Sequence, residues 1–180
     1  MRNLIPFALL AAFLAGCGGP TQTVTDSEGN KATISQDGAK MTFEGKDGEK
    51  VDVVSKDGKT TWKSNEGATM ESGGTMTEAE LGLPLYPGGK TQEGSSTKVD
   101  TPQGSVRTVI LTTSDAPDKV VEFYKPKIKE PNTYTGTNDG NINTMLNGKL
   151  ESGETVLISA TREKGSSETT VSIGVTSEKS

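Results

Sequence analysis

Apolar and polar positions alternate in three different ways along this chain of 180 residues. Residues 4–13 form an unbroken apolar run, and Arg2 is the one charge before Cys17. As a helix, the apolar stretch ending at Ala15 would span about 18 Å, against roughly 30 Å of bilayer hydrocarbon, so it reads as a targeting segment and not as a membrane span. From Asp26 onward, Asp-Gly and Glu-Gly pairs recur every nine or ten residues, at Glu28-Gly29, Asp37-Gly38, Asp47-Gly48, Asp57-Gly58 and Glu66-Gly67. Such pairs supply the positive φ of tight hairpin turns. The residues three and five after each glycine are mostly apolar: Ala32 and Ile34, Met41 and Phe43, Val51 and Val53. A period of two with equal spacing predicts an antiparallel β-meander over 26–67 with these side chains on one face and Thr33, Thr42 and Asp52 on the other. Trp62 falls four after Gly58, which predicts a bulge, or failing that a tryptophan on the opposite face.

Gly73-Gly74 and their small neighbours mark 68–77 as a linker, after which the pattern changes. Glu78 to Leu81 predicts one helical turn; Pro84 and Pro87 force an extended stretch, with Leu83, Leu85 and Tyr86 as core contacts. Residues 91–99 and 105–113 read as strands. A helix follows, with Asp115 as its expected cap, Pro117 and Asp118 in its first turn, and Val120, Val121, Tyr124 and Ile128 on one face. Pro126 ends that helix near Lys125. Residues 132–140 read as a loop, and 144–150, 155–162 and 168–176 as three antiparallel strands. The expected fold class is therefore mainly β with α+β: a repetitive meander, then a small domain (78–180) with one helix packed on a five-stranded antiparallel sheet.

The first nineteen residues resemble a bacterial lipoprotein precursor, because Leu14-Ala15-Gly16-Cys17 lies in register behind the apolar run. That resemblance implies a signal peptide over 1–16, a diacylglycerol on the Cys17 thiol, cleavage before Cys17, acylation of the new amino group, and a lipidated tether over 17–25. Gly18, in place of an aspartate, resembles the sorting pattern of Gram-negative lipoproteins, implying an outer-membrane protein facing the periplasm in such a host. The stretches Leu81-Gly82-Leu83-Pro84-Leu85-Tyr86-Pro87-Gly88 and Ser114-Asp115-Ala116-Pro117-Asp118-Lys119-Val120-Val121-Glu122-Phe123-Tyr124-Lys125 are similar to a module of uncharacterised bacterial envelope proteins, with Gly89 where alanine is expected. This second resemblance implies no activity.

Composition narrows the function further. Losing Arg2 with the leader leaves 18 basic residues from 19 against 24 acidic ones, a net charge of −6, with no basic patch for nucleic acid. The chain has no histidine, and its one cysteine is assigned to the anchor. Disulfides, thiol nucleophiles, imidazole proton relays and the usual transition-metal ligands all fall away. No cofactor, metal or catalytic residue is expected, and the chain reads as a non-enzyme. Glu151 and Glu154 flank a turn and read as solvated acids. Tyr86, Tyr124 and Tyr134 are the candidate lining of a ligand groove between helix and sheet. The expected partners are the membrane, through Cys17, and either an envelope protein or a small apolar ligand. The role expected is a binding or scaffolding module, with a periplasmic carrier of a small or lipidic ligand as the alternative.

Overall fold

The computed structural model describes residues 21–35 and 38–179, so the leader, the Leu-Ala-Gly-Cys box and Cys17 lie outside the described residues. The described residues are mainly β and divide into two compact units, with the boundary after Thr69. Among the described residues, no helix is long and apolar enough to cross a membrane.

The first unit is the expected meander. Strands β1 (Thr21–Thr25), β2 (Lys31–Ser35), β3 (Lys40–Glu44), β4 (Lys50–Lys56) and β5 (Lys59–Ser64) pair in sequence order, each antiparallel to the next. Registers run Ala32, Phe43, Val51 and Ile34, Met41, Val53 across one face, with Thr33, Thr42, Asp52 across the other. Thr42 Oγ1 donates to Asp52 Oδ1 at 2.6 Å, and this bond holds the Asp52 carboxyl below the usual carboxylate range. Two expectations are corrected here. Trp62 sits directly opposite Val53 with no bulge and on the same face. The reason is the turn: Lys56 pairs with Lys59 across two residues, Asp57 (φ 51°) and Gly58 (φ 73°), whereas Glu44 pairs with Lys50 across five, so the count from glycine to core position drops by one without changing face. The meander also starts earlier than Asp26, because Thr21–Thr25 is paired throughout with β2. Only the part of the 17–25 tether before Thr21 remains, outside the described residues.

The expected linker 68–77 is also structured: β6 (Thr69–Gly73) lies beside β8 (Thr97–Thr101), Ser96 Oγ donates to Gly73 O at 2.8 Å, and Met76 is buried. In the second unit the turn α1 (Glu78–Leu81) is closed by a capping box, Thr77 and Glu80 bonding reciprocally, and by Gly82 in the left-handed region. Strand β7 (Lys90–Thr91) and then β8 pair along one edge of β9 (Gly104–Thr113), so the strand expected over 91–99 is broken into two around Gly94. Helix α2 (Pro117–Tyr124) is followed by a 3-10 turn at Lys125–Lys127, and the chain closes with β10 (Lys129–Asn138), β11 (Asn141–Lys149), β12 (Thr155–Arg162) and β13 (Thr169–Glu178). The sheet order is β6, β8, β9, β13, β12, β11, β10, antiparallel at every register from β8 to β10. β10 occupies the stretch expected to be a loop.

The core lies between this sheet and α2, which crosses β11 and β12. One cross-strand row, Leu146, Ile158, Ile173, Val109, is wholly buried under the helix, and so are Val120 and Val121 that press onto it. Gly89 is explained by the same packing. A Cβ there would stand 2.9 Å from both Leu111 Cδ1 and the carbonyl oxygen of Tyr86, so the alanine expected from the resemblance does not fit.

Candidate functional site

Pro87 and the two glycines after it end the segment that lays Tyr86 beneath α2, and α2 presents Phe123 and Tyr124 to it. Tyr86 meets Phe123 edge to face at 5.3 Å between centroids and Tyr124 at 6.3 Å; Phe123 meets Tyr124 at 4.9 Å. The three rings pack on one another at the helix. Tyr134 is not among them. It lies on β10 opposite Met145, on the far face of the sheet, and is 68% exposed. The three tyrosines therefore do not line one groove, because β10 turns residue 134 outward where Thr135 faces the helix side, opposite Thr144.

Beside the rings, Asp115 ties the layers together. Its carboxylate accepts from Lys119 Nζ and from Tyr86 Oη, each at 2.7 Å, and its carbonyl accepts from Arg162 Nη2 and Thr169 Oγ1, each at 2.7 Å. The bond from Lys119, and then that from Tyr86, hold the Asp115 carboxyl below the usual carboxylate range. Asp115 does not cap α2. The N-cap is Ala116, without a side-chain bond, and Pro117 and Asp118 open the helix. Tyr124 is wholly buried, its hydroxyl has no hydrogen-bond partner among the described residues, and burial pushes its phenol up.

Burial, reinforced by the Asp115 bond, pushes the Tyr86 phenol up from 10.0 to about 12. A phenol raised on folding adds stability that is complete below pH 10 and is lost as pH climbs towards 12. Thermal melts across that window should show the loss. Tyr86→Phe should lose about 1–2 kcal/mol at neutral pH with the bond to the carboxylate, and should then fall less steeply in alkali than the parent. Equal alkaline slopes for the two proteins would contradict this assignment.

The candidate acids at the β11–β12 turn are differently placed. Glu151 meets Lys129 Nζ at 2.9 Å on the surface, whereas Glu154 is an ion-pair partner of Arg107, which also donates to Glu80 O at 2.7 Å. Glu154 is thus a structural tie and not the solvated acid expected. Among the described residues, no group of three or more His, Cys, Asp or Glu side chains is placed to hold a metal ion.

What the structure does offer is the sheet face away from α2. Registers align Tyr134, Met145, Ser159, Ser172 and Ile110 in one row, Gly136, Asn143, Thr161, Thr170 and Thr112 in a second, and Asn132, Asn147, Leu157, Gly174 and Thr108 in a third. The chain is 24% charged, yet from β10 to β9 these three rows contain no charged residue, the first charge being Lys90 on β7, opposite Thr112 at the end of the second row. Leu157 is 44% exposed and Val106, at the margin, 43%. An antiparallel sheet with one buried face ordinarily presents polar side chains on the other. Here it carries hydroxyls, amides and separate apolar side chains. Sequence reasoning overlooked this surface because it searched for reactive groups, although the Thr and Ser alternating with Val and Ile in β12 and β13 already define it.

Comparison with protein-family models, with curated proteins and with solved structures yields no match.

Proposed function

We propose that the chain is a lipid-anchored protein of the bacterial cell envelope, held by acyl chains on Cys17, that acts without catalysis as a binding or scaffolding module. The observation that carries the binding role is the open face of the second unit, uncharged in its three central rows from β10 to β9, with Leu157 and Tyr134 exposed on it. Interfaces differ from ordinary surface chiefly in losing charge at their centre and gaining aromatic side chains; this face shares the loss of charge, and Tyr134 is the aromatic residue on it. The Leu-Ala-Gly-Cys box supports the anchor and the Gly18 position supports the outer membrane of a Gram-negative host. An envelope protein is the partner class favoured over a carried ligand, since Tyr86 and Tyr124 are buried against one another and Tyr134 lies on the opposite face of the sheet.

Capture from detergent-solubilised envelope tests this reading. The parent protein should retain a defined protein partner, and Leu157→Lys, which places a charge in the middle of the neutral face, should lower that retention at least tenfold while leaving the melting temperature within a few degrees. Retention unchanged by Leu157→Lys would remove the open face from the account. A rise in melting temperature on adding envelope lipid extract, with no protein retained, would favour the carrier instead.

A further inference from the structure

Among the described residues the sheet of the second unit ends at β10, whose one neighbour in the strand order is β11. The β10–β11 hairpin turns through two residues, Asp139 (φ 52°) and Gly140 (φ 85°), with Asn138 opposite Asn141. In such a hairpin the residues flanking the turn bond to each other, and bonded pairs then recur at every second position. Asn138, Gly136, Tyr134 and Asn132 therefore direct their amides and carbonyls at β11, and Thr137, Thr135 and Thr133 direct theirs away from it, along the free edge.

Exposed edges are commonly guarded by charge, proline or a bulge. The first part of β10 has all three: Lys129, Glu130 at φ 51°, Pro131, and a register shift between Lys129 and Asn132. Residues 132–138 have none of them. This unguarded window is bounded by Pro131 on one side and Asp139 on the other, and Thr135, with its backbone groups facing outward, is its central residue.

We infer that this edge pairs with the same edge of a second copy, antiparallel, about a two-fold axis at Thr135. That register sets Thr133 opposite Thr137 of the other copy and Thr135 opposite itself, so every outward amide in the window finds an outward carbonyl. Registers centred one residue to either side match fewer. Pro131 then meets Asp139 of the other copy, and the pairing stops at the same point on both flanks. On the open face, Tyr134 falls opposite Gly136. The ring of Tyr134 already lies over Gly136 of its own strand, 3.2 Å from where a Cβ would stand, so the two tyrosines meet side by side across glycines with no side chain between them. Both open faces join into one neutral surface, and the assembly is closed, because each copy spends its one β10 edge. The pairing does not depend on the lipid.

An edge contact of this length is small, so dissociation constants on the order of 10–100 µM are expected. Sedimentation of the full chain carrying Cys17→Ser, in non-ionic detergent over a wide concentration range, tests it. The parent should move from monomer to dimer. Thr135→Pro removes the central outward amide and no backbone bond to β11, its one loss there being the 3.3 Å bond from Thr135 Oγ1 to Thr144 Oγ1, and Thr135→Lys, which loses the same bond, sets like charges face to face; each should weaken association at least tenfold with an unchanged circular dichroism spectrum. Thr135→Cys in the same background should form a disulfide-linked dimer under mild oxidation. A parent that stays monomeric throughout, a dimer that survives both substitutions, or a Thr135→Cys chain that never cross-links would overturn the inference.

Discussion

Tyr124→Ala is expected to lower the stability of the second unit by about 3–5 kcal/mol, as truncating a large buried ring does elsewhere, a large share of the total of about 5–15 kcal/mol usual for a domain. The ring is wholly buried, touches both Tyr86 and Phe123, and belongs to the helix face that closes the core. Tyr124→Phe should behave in the opposite way. The hydroxyl makes no bond among the described residues, so its removal forfeits nothing and relieves a polar atom held away from partners; stability should be equal to the parent's or greater. Urea unfolding separates these outcomes. The single tryptophan, Trp62, lies in the meander, and all three tyrosines lie in the second unit, so tryptophan fluorescence and near-ultraviolet tyrosine dichroism follow the two units independently. Tyr124→Ala should shift the tyrosine transition and leave the tryptophan transition in place. A Tyr124→Phe protein less stable than the parent by more than about 1 kcal/mol would mean the hydroxyl is bonded after all.

The second large effect concerns location. Cys17→Ser keeps the size of the side chain but removes the sulfur that would carry the diacylglycerol, and expression in a bacterium should then give complete loss of incorporated palmitate and retention of the leader. At about 0.8 kcal/mol per buried methylene, one acyl chain holds a protein only marginally and two or three hold it durably. The parent should therefore stay with membranes through high-salt washing and enter the detergent phase, with incorporated label. Equal labelling of parent and Cys17→Ser would place the lipid on another residue or remove it from the account.

How far the sequence alone led depended on the range of the interaction involved. The meander's facing rows, Ala32 with Phe43 and Ile34 with Met41, were legible because alternation and turn spacing are local properties. So were the proline-opened helix, its end before Pro126, and the alternating Val and Ile of β12 and β13. Trp62 was misplaced because a two-residue and a five-residue turn share an Asp-Gly signature while shifting the count to the core. β10 read as a loop because an edge strand buries little and needs no apolar alternation; the pattern Asn, Thr, Tyr, Thr, Gly, Thr, Asn has no core face to announce itself. The remaining errors concern partners far apart in sequence. Asp115 reads locally as a cap, whereas its carboxylate is claimed by Tyr86, 29 residues away, and Glu154 reads as solvated, whereas it pairs with Arg107, 47 residues away. Gly89 is of the same kind, since its need for a bare Cα comes from Leu111 across the sheet edge.

The claim on which the rest stands is that acyl chains on one sulfur fix this protein to a membrane. Intact-mass measurement of the parent chain, purified in detergent from bacterial membranes, addresses it directly. The account predicts the mass of residues 17–180 with a glycerol thioether and its acyl chains; the unprocessed chain, or a processed chain with a free Cys17 thiol, would contradict it.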